Sequence, residues 1–499
     1  MSTSTTTPPA SGLDGWFSIT QRGSSLAREV RGGLVTFFTM AYIIALNPLI
    51  IGTAPDVNGN LITGQPMLDA SGATIGANVG ASIAAVAAAT ALVAGVMTIL
   101  MGVVGRFPLG LATGLGLNAM LAYVVAPHVT WSQAMGLIVW EGLIITALVL
   151  TGFREAVFRA VPRALRTGIS VGIGLFITLV GLADARVVTN LGGTPVQLGA
   201  TGSLMGWPVA VFVTGLLLLI VLYINRVRGA MLIAIVAMTV VAVVVETVLA
   251  LGSAAVEGNT FGWALNVPAM PAEGLFRLPD LSLLGRVDLF GAFAGGPTVF
   301  LTMLLTVFAL LLADFFDTMG TIVAVGAEGD LNDEDGNPPR TREILLVDSL
   351  AAVAGGLGSV SSNTSYIESA AGVGEGARTG FASVVTGVAF LVALFLSPLV
   401  NMVPSEAAAP VLVFVGFLMM SQVVHVDWDD PEDGIPAFLT MVLMPFTYSI
   451  TVGIGAGFIV YVLIKLARGK AAQVHPLLYV VALAFVVYFA QGVIGTLIA

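Results

Sequence analysis

The chain has 499 residues, 57% of them hydrophobic and 10% charged, with a mean hydropathy of +0.99, far from the roughly 25% charged of a soluble domain. It carries no cysteine, which excludes disulfides, thiolate metal sites and a cysteine nucleophile, and His128, His425 and His475 form no ligand spacing, so neither metal nor cofactor is expected. The net charge of −10 gathers in acidic loops such as 327–336 and 427–433, which argues against nucleic acid as a partner.

The N-terminal stretch MSTSTTTPPASG is polar and lacks an apolar core followed by a cleavage site. Residues 1–30 therefore read as a cytosolic tail and not as a signal peptide. Apolar runs bounded by charge or by Gly and Pro then predict spans at 32–53, 79–104, 108–126, 132–152, 168–184, 208–225, 230–252, 298–325, 342–359, 364–376, 380–402, 408–424, 435–450 and 451–468. These fourteen make an all-α polytopic membrane protein. Between spans 4 and 5, FREAVFRAVPRALR (153–166) mixes basic with apolar residues, the pattern of an interfacial helix. The apolar stretch His475–Ala499 follows span 14 and reads equally as a re-entrant helix, an interfacial helix or a fifteenth span, because no charge follows it.

Lys and Arg concentrate in short cytosolic loops of membrane proteins. With the N-terminus inside and this span count, every Lys and Arg falls on the cytosolic side except Arg186, Arg277 and Arg286. The chain thus reads as a multi-pass protein of the cytoplasmic membrane. Fourteen spans divide into two sets of seven, and an odd number per set forces the halves into opposite orientation, an inverted repeat. Span 3 (PLGLATGLGLNAMLAY) and span 10 (GSVSSNTSYIESAAGVGEG) occupy matching places in the two halves. Both are too rich in Gly or hydroxyl residues to run as unbroken helices, and interrupted spans at matching places point to a transporter's midplane site.

Span 8, within TVFLTMLLTVFALLLADFFDTMGTIVAVG, holds Asp314 and Asp317 mid-membrane, each costing about 2.5–3.5 kcal/mol on insertion scales. At helical spacing Asp314, Asp317, Thr318 and Thr321 make one polar stripe, which must face protein or water. Span 10 adds Glu368, preceded by Thr364 and Ser365, ahead of a small-residue run able to continue as a half-helix. Span 3 adds Asn118, whose amide both donates and accepts. Acids that accept N–H bonds suit a planar heterocycle and repel an inorganic anion. Phe37, Phe38, Tyr42 and Phe315 are candidate stacking faces, while Glu141 in span 4 and Glu246 in span 7 are further intramembrane acids without an assigned role.

LLADFFDTMGT and SSNTSYIESAAGVGEGARTG, preceded by RGGLVTFFTMAYIIALNP and GLATGLGLNAMLAY, resemble the AzgA-like purine permeases of the nucleobase-cation symporter family, from Gly15 to about Gln491. The resemblance implies the fold of the uracil and xanthine permeases, with short antiparallel strands in spans 3 and 10. It implies a core domain (31–152 and 298–402) and a gate domain (153–252 and 403–468), with an external loop at 253–297 and an apolar C-terminal segment at 469–499. It further implies proton-coupled, elevator-like uptake of hypoxanthine, guanine or adenine by a homodimer. Glu368 matches the substrate carboxylate of span 10, and Asn118 the polar residue of span 3. Aligning on Gly320 places Asp317 at the uracil branch's glutamate, and aligning on Ala313 places Asp314 there. With both acids in the pattern, substrate contact is assigned to Asp314 and proton coupling to Asp317 together with Glu368, with Thr364, Ser365 and Asp317 also near the substrate. Thr321 stands where the uracil branch has a histidine, so a mechanism through that histidine does not transfer.

Two other readings follow from the same residues. A permease of this fold could carry uracil, xanthine or an anion. An intramembrane aspartyl protease also needs two aspartates, but its paired Gly-x-Gly-Asp and Tyr-Asp motifs are missing at membrane depth, so no enzyme activity is expected.

Overall fold

The computed structural model describes residues 12–151, 161–190, 196–254, 256, 258–270, 274, 276–332 and 338–490. Residues 1–11 of the N-terminal tail, the first part of the 153–166 segment, the acidic run 333–337 and the chain after Ala490 lie outside the described residues. Ten helices among the described residues are long and apolar enough to cross a bilayer: Leu26–Ile51, Gly76–Gly105, Trp131–Thr151, Arg163–Asp184, Trp207–Ile224, Ala230–Leu249, Pro297–Glu328, Gly380–Met402, Ser405–His425 and Ile450–Ala467. They coincide with the predicted spans 1, 2, 4–8, 11, 12 and 14. Spans 9 and 13 are shorter helices, Thr341–Leu357 and Pro431–Phe446. The C-terminal stretch begins as a helix, Pro476–Phe489, laid against span 14 and touching span 8.

Spans 3 and 10 are broken. Span 3 enters as an extended strand, Leu111–Thr113, and turns helical at Leu115. Span 10 enters as the strand Asn363–Ser365 and turns helical at Ser369. The strands pair antiparallel, Leu111 with Ser365, Ala112 with Thr364 and Thr113 with Asn363. Extended backbone survives at this depth only if its polar groups find partners inside the protein. Hydroxyls supply them. Thr98 Oγ1 of span 2 both receives the Leu111 amide at 2.9 Å and donates to its carbonyl at 3.0 Å. Ser369 Oγ takes the Gly110 amide at 2.9 Å, and Ser383 Oγ takes that of Leu109 at 2.8 Å.

Span 1 is also interrupted. Its two helices, Leu26–Met40 and Ile43–Ile51, meet at Ala41 and Tyr42, and Pro48 removes the amide that would have bonded the Ile44 carbonyl.

Span 2 lies along span 11, span 4 along span 9, and span 5 between spans 12 and 13. Spans 2 and 11 meet backbone on backbone. A Cβ on Gly102 would sit 2.3 Å from the Gly380 carbonyl oxygen, and one on Gly380 would sit 2.0 Å from that of Gly102, so both positions require glycine. Spans 6 and 7 pair with each other and expose most of their side chains, as a lipid-facing wall would. Glu246 at the end of span 7 accepts the Leu251 amide at 3.0 Å and the Trp263 indole N–H at 2.8 Å, which pins the following loop. Its intramembrane charge serves the fold.

Candidate functional site

A cavity of about 890 Å³ opens where the broken spans 3 and 10 meet span 8. That is the size of a small-molecule site. Gly114–Leu117 and Thr364–Glu368 form one wall, and Ala313, Asp317, Gly320 and Ala324 add one face of span 8 at helical spacing. Opposite stand Ile169, Ile173 and Ile177 of span 5 with Val415 and Leu418 of span 12. The arrangement is a slot, polar along spans 8 and 10 and mostly aliphatic along spans 5 and 12, where Thr167, Ser170 and Gln422 add polar groups. Arg163, Arg166 and His425 line the end nearest the basic loops.

Two carboxylates reach the slot. Glu368 is half-buried at the start of the helix Ser369–Gly374, and Asp317 is exposed to the cavity. The Tyr42 hydroxyl, from the break in span 1, donates to Glu368 Oε1 at 2.5 Å. One carboxylate oxygen is therefore held from behind, leaving the other to accept from a bound molecule. Tyr366 backs the same wall, its hydroxyl donating to the Thr113 carbonyl at 2.5 Å. Thr364 and Ser365 line the slot with their hydroxyls turned inward, to Thr318 Oγ1 at 2.7 Å and to Asp348 Oδ1 at 2.6 Å respectively. Of the four aromatic candidates Tyr42 lines the cavity, and Phe316 does so where Phe315 was expected.

The structure does not place Asp314 or Asn118 on the cavity wall, although substrate contact was expected of both. Asn118 is buried, and its side-chain amide donates to Thr113 Oγ1 at 3.1 Å. The backbone of Gly114–Leu117 takes its place at the slot. Asp314 is fully buried and faces Glu141 of span 4 and Asp348 of span 9. The span 8 stripe straddles the edge of the cavity, with Asp317 and Thr321 on the open side and Asp314 and Thr318 behind it.

Residues 27–456 match the Permease family (Xan_ur_permease). The chain belongs to that family. This permease is 37% identical to the guanine/hypoxanthine permease PbuG of Bacillus subtilis, over 95% of the chain and 98% of the relative. It is 34% identical to the adenine permease AdeP of Escherichia coli, over 95% of each. It is 31% identical to the nucleobase transporter PlAzg2 of Paenibacillus larvae, over 88% of the chain and 78% of the relative. Among solved structures it resembles the transmembrane domain of the cyanobacterial bicarbonate transporter BicA, with a TM-score of 0.56 at 15% identity over 87% of this chain and 97% of that one. It also resembles murine Slc26a9 in the inward-facing state, with a TM-score of 0.59 at 10% identity over 93% of this chain and 74% of that one. These two share the fold of a transporter. Permeases of this family move solutes and are not enzymes.

The sequence offered Tyr42 only as a stacking face and gave Asp348 no role. Tyr42 sits in an unbroken apolar run that hides the break in span 1. Asp348 is an acid in the middle of span 9, and the insertion cost that singled out Asp314 applies equally to it.

Proposed function

We propose that this permease takes up purine nucleobases (hypoxanthine, guanine or adenine) across the cytoplasmic membrane in symport with a proton. The observation that carries this reading is the convergence of Glu368 and Asp317, both hydrogen-bond acceptors, on a slot lined mostly by aliphatic side chains of spans 5 and 12. A neutral oxopurine offers ring N–H groups along an edge and a flat apolar face. Its N–H donors suit the two carboxylates, and its rings suit the isoleucines of span 5. The names of the curated relatives support the same cargo. Carboxylates on the wall repel an anion, so a bicarbonate-like cargo is disfavoured.

In this reading the basic loops and the N-terminus face the cytosol, and the cavity, lined at that end by Arg163, Arg166 and His425, is open inward. Spans 1–4 and 8–11 form the moving core, and spans 5–7 and 12–14 the gate. Two such chains pair in the membrane as a homodimer. Asp317, the cavity acid without a hydrogen-bond partner among the described residues, takes the proton first. Neutralising it removes an uncompensated charge before the core slides past the apolar gate.

Labelled hypoxanthine uptake in cells lacking their own purine permeases tests the assignment. Uptake above background, competed by unlabelled guanine or adenine and not by uracil, xanthine or sulfate, is expected; background uptake refutes it. Tyr42→Phe keeps the ring and removes one hydrogen bond to a charged group, worth about 1.5–3 kcal/mol. It is expected to raise the KM for purine about tenfold or more with normal protein in the membrane, read from uptake against concentration.

A further inference from the structure

Behind the cavity wall lies a second group of acids, none of which lines the cavity. Glu141 of span 4, Asp314 of span 8 and Asp348 of span 9 are all buried, and they face one another. Their supply of donors is unequal. Asp348 accepts from Ser365 Oγ at 2.6 Å and from Thr318 Oγ1 at 2.9 Å. Glu141 has one donor, Ser362 Oγ at 3.2 Å, and its second oxygen has none. Neither oxygen of Asp314 has a partner at full hydrogen-bond geometry, and the one donor near it is the Thr364 hydroxyl, already bonded to Thr318. None of the ion pairs among the described residues involves the three. The titratable groups facing Asp314 are Glu141, Asp348 and, one turn along its own helix, Asp317.

A buried carboxylate with neither donor nor counter-ion is costly, and three like charges in one apolar compartment cannot all ionise. Asp348, with two hydroxyl donors, is equipped to carry the charge. Asp314 and Glu141 are equipped to carry protons, since protonation removes the charge that their few donors leave uncompensated. A metal ion fits less well: among the described residues no group of three or more such ligands is disposed to hold one.

The compartment also has a connection to the slot. Thr364 and Ser365 line the cavity; Ser365 bonds Asp348 directly, and Thr364 bonds Thr318, which bonds Asp348. Each hydroxyl is both donor and acceptor, so this hydroxyl wall can pass a proton while excluding the cargo.

We propose that the sealed trio of Glu141, Asp314 and Asp348 is the proton-binding site of the transport cycle, loaded from the cavity through the hydroxyls of Ser365, Thr364 and Thr318. This rests on the symport reading above. It separates two roles within the site: Glu368 and Asp317 hold the cargo and admit the proton, and the trio stores it while the core moves. The proton travels from oxygen to oxygen, and no other bond changes.

Full-length protein in liposomes loaded with a pH-sensitive dye provides the test. Wild type is expected to acidify the lumen when hypoxanthine is added outside. Glu141→Gln and Asp314→Asn are expected to lose this purine-driven proton flux at least tenfold, while exchange of labelled for unlabelled hypoxanthine continues. Full proton flux in both variants overturns the proposal. If neither variant assembles, Thr318→Val carries the test. It is isosteric, does not line the cavity and cuts one branch of the relay, so it is expected to slow proton flux severalfold with exchange intact; unchanged flux overturns the proposal. The two readings fail separately. A wild type that ignores hypoxanthine refutes the cargo, one that moves it without protons refutes symport, and only the variants judge where the proton resides.

Discussion

Glu368→Gln is expected to reduce purine uptake to background while leaving the amount of protein in the membrane unchanged. The substitution keeps the shape of the side chain and exchanges one acceptor oxygen for a donor NH2. With Tyr42 O–H directed at one oxygen at 2.5 Å, the amide must turn its other end to the slot. There it presents N–H to the N–H of the cargo. A charge-assisted hydrogen bond of about 1.5–3 kcal/mol is lost, and a buried donor is left facing a donor, at about 1–3 kcal/mol more. Together these predict at least a hundredfold loss, beyond the range of an uptake assay. Binding measured on purified protein separates this from a folding defect, because packing around Glu368 is unaltered. Wild-type uptake by Glu368→Gln would remove this residue from the site.

Much of this architecture was legible in the sequence because the bilayer imposes simple rules. Hydropathy located spans 1, 2, 4–8, 11, 12 and 14, and glycine and hydroxyl content marked spans 3 and 10 as interrupted. The strand pairing came only with the family resemblance, since three-residue strands leave no period to read. At the site, the insertion cost of a charge identified acids with a use but not the direction they face. Asp314 and Asp317 are three residues apart on one helix, so the spacing put them on one stripe; the rim of the cavity runs between them. Where that rim falls is decided by which helices stand alongside, here spans 4 and 9. Tyr42 was expected only as a stacking face, and its hydrogen bond to Glu368 stayed hidden for a different reason. Tyr42 stands at the junction of the two helices of span 1, from which its hydroxyl reaches span 10, and a continuous apolar run conceals such a junction.

Gly372→Val is expected to weaken purine binding about a hundredfold or to prevent assembly, although Gly372 does not line the cavity. The half-helix Ser369–Gly374 carries Glu368 at its start and lies directly on span 1. A Cβ at Gly372 would fall 2.1 Å from Thr36 Oγ1 and 2.4 Å from the Gly32 carbonyl oxygen. The hydroxyl can rotate away, but the carbonyl belongs to a helix and cannot. Relief requires the half-helix to move off span 1, carrying Glu368 away from Tyr42 and out of register with Asp317. Overpacking of this kind costs about 1–3 kcal/mol in stability, and the displaced carboxylate loses its aim as well. Gly374 supplies the control on the same half-helix. A Cβ there meets nothing nearer than Glu328 Oε1 at 3.7 Å, so Gly374→Ala is expected to bind and transport as wild type does. Thermal stability and labelled-purine binding of the two variants check the pair. Wild-type affinity in Gly372→Val would mean that the position of Glu368 is not set by the contact between span 1 and the half-helix, and that Tyr42 alone aims the carboxylate.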